Sequence, residues 1–289
     1  MTDCDPAWLD QMYNNRALVP DHAVHLRNWS EGSAAARTAL PAKLGLPYGT
    51  GQRETLDLFL PGRGPAPVLV FIHGGYWRSL HSSDYAFVAP PFVRSGACVV
   101  IPNYDLCPAV SIPDITLQMV KALAWVHHNI ARYGGDPTRV TVAGHSAGGH
   151  LAAMMLACDW PKANRRLPGT LVRNGMSISG LHELETLRHT PYLQASLKLT
   201  PLQALQASPA WMKPPPRQDG GGELYAVVGG LESAEFLRQN QLIADAWGKQ
   251  RVPVCEVLPG LNHFSIAEAL ARPGHRLHHL ACQLLGLPA

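Results

Sequence analysis

Three features of this 289-residue sequence predict an α/β fold built on a mostly parallel sheet. Short apolar runs alternate with longer segments of helical period along most of the chain. Those runs are nearly continuous in apolar residues, as expected of strands covered by helices on both faces. Composition agrees: 46% of residues are hydrophobic, 16% are charged, and 26 glycines and 25 prolines supply many turns.

In chain order, residues 1–50 read as a helical arm, Pro6–Asn14, followed by irregular chain. Strands are predicted over Glu54–Leu60, Pro67–Ile72, Ala97–Ile101, Arg139–Ala143, Gly175–Ser179, Leu224–Val228 and Pro253–Leu258, each a short apolar run bounded by turn residues. Between them, helices are predicted over Ile115–Tyr133, Ala147–Ala157, Ser233–Gly248 and His275–Leu285, where the apolar period lengthens. Gly134-Gly135-Asp136-Pro137 falls between a helix and a strand, so it reads as a helix C-cap and turn rather than a phosphate loop. Residues 182–222 are too long for a simple connection, and end in a run of three prolines and three glycines. Such insertions tend to be lids or binding elements, so a small cap is expected here. There is no internal repeat and no convincing linker, which predicts a single domain over 1–289.

Charge narrows the partners. With 24 Lys+Arg against 21 Asp+Glu the net charge is +3, and no basic stripe suggests nucleic acid. No stretch approaches the ~20 apolar residues of a membrane helix, so no membrane partner is expected. Met1-Thr2-Asp3-Cys4-Asp5 lacks the basic and apolar regions of a signal peptide. The six cysteines (Cys4, Cys98, Cys107, Cys158, Cys255, Cys282) are scattered, without a CxxC pair. A reduced, cytoplasmic protein is the expectation.

The strongest chemical signal is Gly144-His145-Ser146-Ala147-Gly148, which follows a predicted strand and opens a predicted helix. That is the context of a nucleophile elbow. Small residues on both sides let strand and helix pass closely, and the helix N-terminus favours developing negative charge at Ser146. A second signal, His73-Gly74-Gly75-Tyr76-Trp77, directly follows the strand ending at Ile72. The N–H groups of Gly74, Gly75 and Tyr76, with that of Ala147, are candidates for an oxyanion hole, typically worth about 3 kcal/mol per donor. Gly75 and Tyr76 rank first after Ala147, and His73 is expected to brace the loop.

A serine hydroxyl needs a base, and in this type of fold base and acid follow the nucleophile in the order Ser, acid, His. His263, in the loop after the last predicted strand, is the best of the 14 histidines. The others near it in sequence, His275, His278 and His279, are expected at the surface of the final helix. His145 and His150 flank the elbow and are expected to pack or cap. The acid should leave the end of the preceding strand, which makes Glu232 the candidate, Glu235 the second choice, and Asp219 a poor fit. His22-x-x-His25 and His275-x-x-His278-His279 have ligand residue types but no acidic partner that would complete a metal motif. No GxGxxG follows a strand and no GxxxxGK[ST] occurs. Neither metal nor cofactor is therefore expected.

With these residues in place the chain resembles the α/β-hydrolase superfamily, in the branch of hormone-sensitive-lipase-like esterases and kynurenine formamidases. Gly144–Leu151 and His73-Gly74-Gly75 are shared with both groups. The string HGGYW, the segment Glu232–Gln239 and Tyr13-Asn14-Asn15-Arg16 are similar to the formamidases, with Glu232 where they usually carry Asp. The resemblance, which runs from about residue 9 to the final helix, implies a small-molecule hydrolase. Its substrate would be an aryl formamide or a short-chain or aryl ester. Tyr76, Trp77 and Trp211 would line an aromatic pocket above Ser146. A non-catalytic binding module on the same fold is the outside alternative. Assembly as a homodimer stays open.

Overall fold

The structure is a computed structural model that describes residues 5–214 and 222–288. Cys4, Asp219 and most of the proline- and glycine-rich run lie outside the described residues. Eight strands form one sheet: β1 (Ala42–Pro47), β2 (Thr55–Phe59), β3 (Ala66–Ile72), β4 (Cys98–Pro102), β5 (Gly135–His145), β6 (Asn174–Ile178), β7 (Glu223–Gly229) and β8 (Val254–Leu258). Their spatial order is β1-β2-β4-β3-β5-β6-β7-β8. From β4 to β8 every pairing is parallel; β2 runs antiparallel to both β1 and β4.

The continuous apolar runs are explained by burial on both faces. In β3, Val68, Val70 and Ile72 point into one core layer, and Leu69 and Phe71 into the other. β4 divides in the same way, Cys98 and Val100 against Val99 and Ile101. All seven predicted strands are present, and so are the four predicted helices, at Ile112–Asn129 (continued by a tight turn to Tyr133), Ala147–Leu156, Ala234–Trp247 and Arg276–Leu285. The first of these starts three residues early. Ser111 and Asp114 form a reciprocal capping box, and Pro113 is accommodated in the first turn, where it forfeits no hydrogen bond. Gly134 closes the turn before β5 with φ +84° in the left-handed region, as its sequence context suggested.

The first 50 residues depart from expectation. Only Pro6–Asn14 is expected as helix there, and it is found as Pro6–Tyr13, but His22–Ala39 is an 18-residue helix and Ala42–Pro47 an edge strand. The long helix buries a narrow stripe, Trp29, Ser33 and Ala36, in an otherwise polar and small-residue sequence, so its apolar period is faint. Packing against the Ser82–Val88 turn holds it: Trp29 lies 5.0 Å from Tyr85 and 5.6 Å from Phe87 between ring centres. β1 is disguised by Gly45, Pro47 and its solvent exposure. The described part of 182–222 forms three short helices, Glu185–Arg188, Pro191–Leu197 and Pro201–Gln206, and a single turn at Pro209–Trp211. Leu184, Leu187, Leu193 and Leu197 tie them into the main core.

Candidate active site

The carboxyl ends of the parallel strands deliver the site, each through the loop that follows. β5 ends at His145, and Ser146 takes φ +58° and ψ −120°, an uncommon backbone state for a residue with a side chain. Surrounding contacts impose it. Ser146 donates its N–H to the Ile178 carbonyl of β6 at 2.8 Å. A Cβ on Gly144 would drive into the Gly148 carbonyl, and one on Gly148 into the Ile72 carbonyl of β3. Both flanking glycines are thus required by close approach. Ser146 is the N-cap of the helix Ala147–Leu156, so its side chain stands at that helix's positive end.

β7 ends at Gly229 and β8 at Leu258, and their loops carry Glu232 and His263. Glu232 Oε2 lies 2.6 Å from His263 Nδ1, and the carboxylate side chain is fully buried. Its other oxygen accepts from the Ser179 hydroxyl at 2.5 Å and from the Gly229 N–H at 2.8 Å. Nδ1 therefore donates to the carboxylate, and Nε2 is left as the basic nitrogen. The Ser146 hydroxyl is not hydrogen-bonded to His263 here, and both residues line one cavity of about 360 Å³. Glu235, the second-choice acid, is occupied elsewhere: it accepts from the Tyr13 hydroxyl at 2.7 Å and pairs with Arg238 at 2.9 Å.

His263 is held from behind as well. His145 donates from Nε2 to the His263 carbonyl at 2.8 Å and accepts at Nδ1 from the Tyr85 hydroxyl, 3.2 Å away. Burial, reinforced by the neighbouring His263, pushes the His145 pKa well below the usual histidine range and keeps that ring neutral. His150 donates to the Ala207 carbonyl at 2.7 Å and so pins the elbow helix to the insertion.

The loop after β3 turns with positive φ at Gly75, Tyr76 and Trp77 in succession. His73 stacks on Tyr104 with ring centres 4.1 Å apart and reaches Asn103 Oδ1 at 3.2 Å, so it does brace the loop. The amides of Gly75, Tyr76 and Ala147 have no hydrogen-bond acceptor among the described residues. Gly74, the fourth candidate, lies beside the Tyr85 hydroxyl and the Ser146 side chain.

Two expected substrate contacts are displaced. Trp77 is wholly buried, edge-on to His150 at 5.0 Å, and does not reach the cavity. The positive φ at Tyr76 and Trp77 turns that indole into the core. Trp211 sits on a surface turn, 45% exposed, away from the cavity. Tyr76 does line it, and its hydroxyl donates to the Tyr13 carbonyl at 2.8 Å. Aromatic walls come instead from Trp29, Tyr85, Tyr192 and Phe264, with Asn15, Arg16 and Arg78 beside them. A helical spacing of Trp29, Ser33 and Ala36 was the only sequence signal for the Trp29 wall. His278, expected at the surface, is buried, bonded to the Leu270 carbonyl at 3.0 Å and packed on Phe92. His22 and His25 are engaged with the Val19 carbonyl and with Glu268.

Comparison with known proteins agrees with this geometry. The BD-FAE family matches residues 56–166. Kynurenine formamidases from Salmo salar and Danio rerio are each 28% identical over 91% of this chain and 88% of their own length. The esterase LipQ of Mycobacterium tuberculosis is 40% identical over 116 residues, 38% of this chain and 27% of LipQ. A solved Silicibacter structure, provisionally described as a thioesterase, is 32% identical, with a TM-score of 0.79, covering 93% of this chain and 97% of its own. A thermostable carboxylesterase from a metagenomic library shares the fold at a TM-score of 0.68, covering 90% of this chain and 95% of its own at 20% identity. No helix among the described residues is long and apolar enough to cross a membrane. Sheet order, the strained serine and a full-length relative at 32% identity together place the chain in the α/β-hydrolase superfamily, as an enzyme of the esterase and formamidase type.

Proposed function

We propose that the protein is a serine hydrolase acting on a small aryl formamide, most like an arylformamidase that converts N-formylkynurenine to kynurenine and formate. The observation that carries this is the chain of contacts Ser179–Glu232–His263, opening with Ser146 on an aromatic cavity of about 360 Å³. Such a volume lies at the small end for ligand pockets, so a single ring with a short acyl group suits it better than a long acyl chain. The curated relatives that match over most of the chain are named kynurenine formamidases, whereas the esterase LipQ matches over little more than a third of it.

In the proposed reaction Ser146 Oγ attacks the formyl carbon as His263 Nε2 takes its proton, and Glu232 stabilises the imidazolium. The oxyanion is received by the N–H groups of Gly75, Tyr76 and Ala147. His263 then protonates the departing aryl amine. Water, deprotonated by the same nitrogen, releases formate and restores Ser146. No step requires a metal or cofactor.

Carboxylester hydrolysis by the same residues is the second reading, favoured by the esterases among the similar proteins. To separate them, kcat/KM is measured for N-formylkynurenine and for p-nitrophenyl acetate on one preparation, with Ser146→Ala as blank. The formamidase reading expects the formamide to lead by orders of magnitude. An ester lead with negligible deformylation would overturn it in favour of an esterase, and turnover unaffected in Ser146→Ala would remove the serine mechanism altogether.

A further inference from the structure

The cavity carries a charge pattern that hydrolysis of a neutral substrate does not use. Two arginines, Arg16 and Arg78, line it, and none of its lining residues is acidic. Glu232 lies behind His263 with its side chain fully buried. Neither arginine has an ion-pair partner among the described residues.

Arg78 is held in place on one side. Its Nη1 donates to the Tyr192 carbonyl at 2.9 Å and to Ser196 Oγ at 3.1 Å. The guanidinium carbon lies 4.3 Å over the Tyr192 ring, a cation–π contact. Nε and Nη2 have no protein acceptor among the described residues. A planar fork that is fixed along one edge and free along the other fits a carboxylate, which accepts two parallel N–H bonds. Arg78 also belongs to the turn that carries the oxyanion donors, since its own N–H bonds the Gly75 carbonyl at 3.1 Å. Any anion it holds is thereby set at a fixed distance from the reacting carbonyl.

Resting on the hydrolase reading above, we propose that Arg78, assisted by Arg16 at the exposed rim, binds a carboxylate on the substrate remote from the scissile carbonyl. The enzyme then selects anionic aromatic substrates over their neutral counterparts. Residues 182–222 supply Tyr192 and Ser196, so the insertion sets this selectivity by holding the arginine rather than by touching the reacting atoms.

The test compares deformylation of N-formylkynurenine with that of its α-carboxyl methyl ester, read at the released aryl amine, with p-nitrophenyl acetate run in parallel. Losing a charge-assisted, two-pronged contact is expected to favour the free acid in the wild type by about 10- to 100-fold in kcat/KM, mainly through KM. In Arg78→Gln the acid-to-ester ratio is expected to fall towards one. Arg78→Lys, which keeps the charge but not the fork, should fall between. Arg16→Gln, a surface change that spares the fold, should lower the ratio less. Equal rates on acid and methyl ester in the wild type would overturn the proposal while leaving the hydrolase standing. A fall in kcat on all three substrates alike in Arg78→Gln, with the ratio unchanged, would also overturn it, by assigning Arg78 to loop structure. Failure of the wild type on every substrate would remove the hydrolase reading, and this proposal with it.

Discussion

Replacing Glu232 by Gln probes the acid with little change in shape. The carboxamide oxygen can still accept from the Ser179 hydroxyl and the Gly229 amide, which lie at 2.5 and 2.8 Å. Its NH₂ group then faces His263 Nδ1, 2.6 Å away in the native protein. Nδ1 must become an acceptor, so the proton moves to Nε2 and the ring presents a donor to Ser146. The base is in the wrong tautomer and the imidazolium loses its counter-charge. A loss of about 10⁴-fold in kcat/KM follows, or roughly 5.4 kcal/mol of transition-state stabilisation, with folding unaffected. Glu235→Gln is the matched control. It removes the charge opposite Arg238 Nε and Nη2, both at 2.9 Å, while Arg238 keeps Glu183 at 2.7 Å. A cost of about 2 kcal/mol is expected there, a Tm drop of roughly 4–8 °C, with kcat within a few-fold of native. Steady-state kinetics and thermal denaturation of both variants decide the matter. If Glu232→Gln kept its kcat while Glu235→Gln lost it, the assignment of the acid would be refuted.

Three further outcomes are expected. Ser179→Ala removes one of two hydrogen bonds to Glu232 Oε1 and should lower kcat by about 10- to 100-fold with KM little changed, measured by initial rates. Trp29→Ala removes a buried wall shared by Tyr85, Phe264 and His145, which should cost about 3–5 kcal/mol in urea unfolding and raise KM for aromatic substrates. Acid should destabilise the fold early. Burial lowers His73 and His182 to about 3 and His150 to about 4, against about 6.5 in an unfolded chain. Between those values the unfolded state binds the extra protons, so stability is complete above about pH 6.5 and declines as pH falls. By pH 5.5 the three together remove about 4 kcal/mol. Urea midpoints that coincide at pH 7.5 and 5.5 would show that these rings are not buried neutral.

The readable part of this protein was its parallel half. β3, β4, β6 and the later parts of β5 and β7 are buried on both faces, so their side chains are largely apolar, while β8 is a half-exposed edge strand; the elbow glycines are forced by backbone contact rather than by preference. The candidates Ser146, Glu232 and His263 each follow the end of a legible strand, which is what makes them visible in the sequence. What surrounds the substrate was less visible. Trp29 lies on a helix whose buried stripe is three residues wide, and its neighbours are alanines and polar side chains that carry little period. Trp77 was misread because chain position places it beside the candidate oxyanion donors, whereas φ of +54° turns it inward, a local backbone state that residue type does not announce. Ser179 left no signal at all, since only the tertiary approach of β6 to β7 brings it to Glu232.

The reach of Glu232 to His263 follows from how the loop after β7 is folded. Glu232 stands three residues past the end of β7, and its N–H returns to the Gly229 carbonyl at 3.1 Å while its own Oε1 accepts from the Gly229 N–H. The carboxylate therefore reaches back over the turn that carries it and forward to His263 at once. An aspartate on the same Cα would fall short by one C–C bond, about 1.5 Å, and could not hold both ends. The turn cannot move to compensate. Gly230 and Leu231 are tied to the Leu258 and Leu261 carbonyls at 2.8 and 3.0 Å, and a Cβ on Gly229 would strike Leu261. Leu261 is two residues before His263, so the acid loop and the base loop are one hydrogen-bonded unit. Within that unit the longer side chain is what lets Glu232 meet His263 while remaining anchored to the sheet.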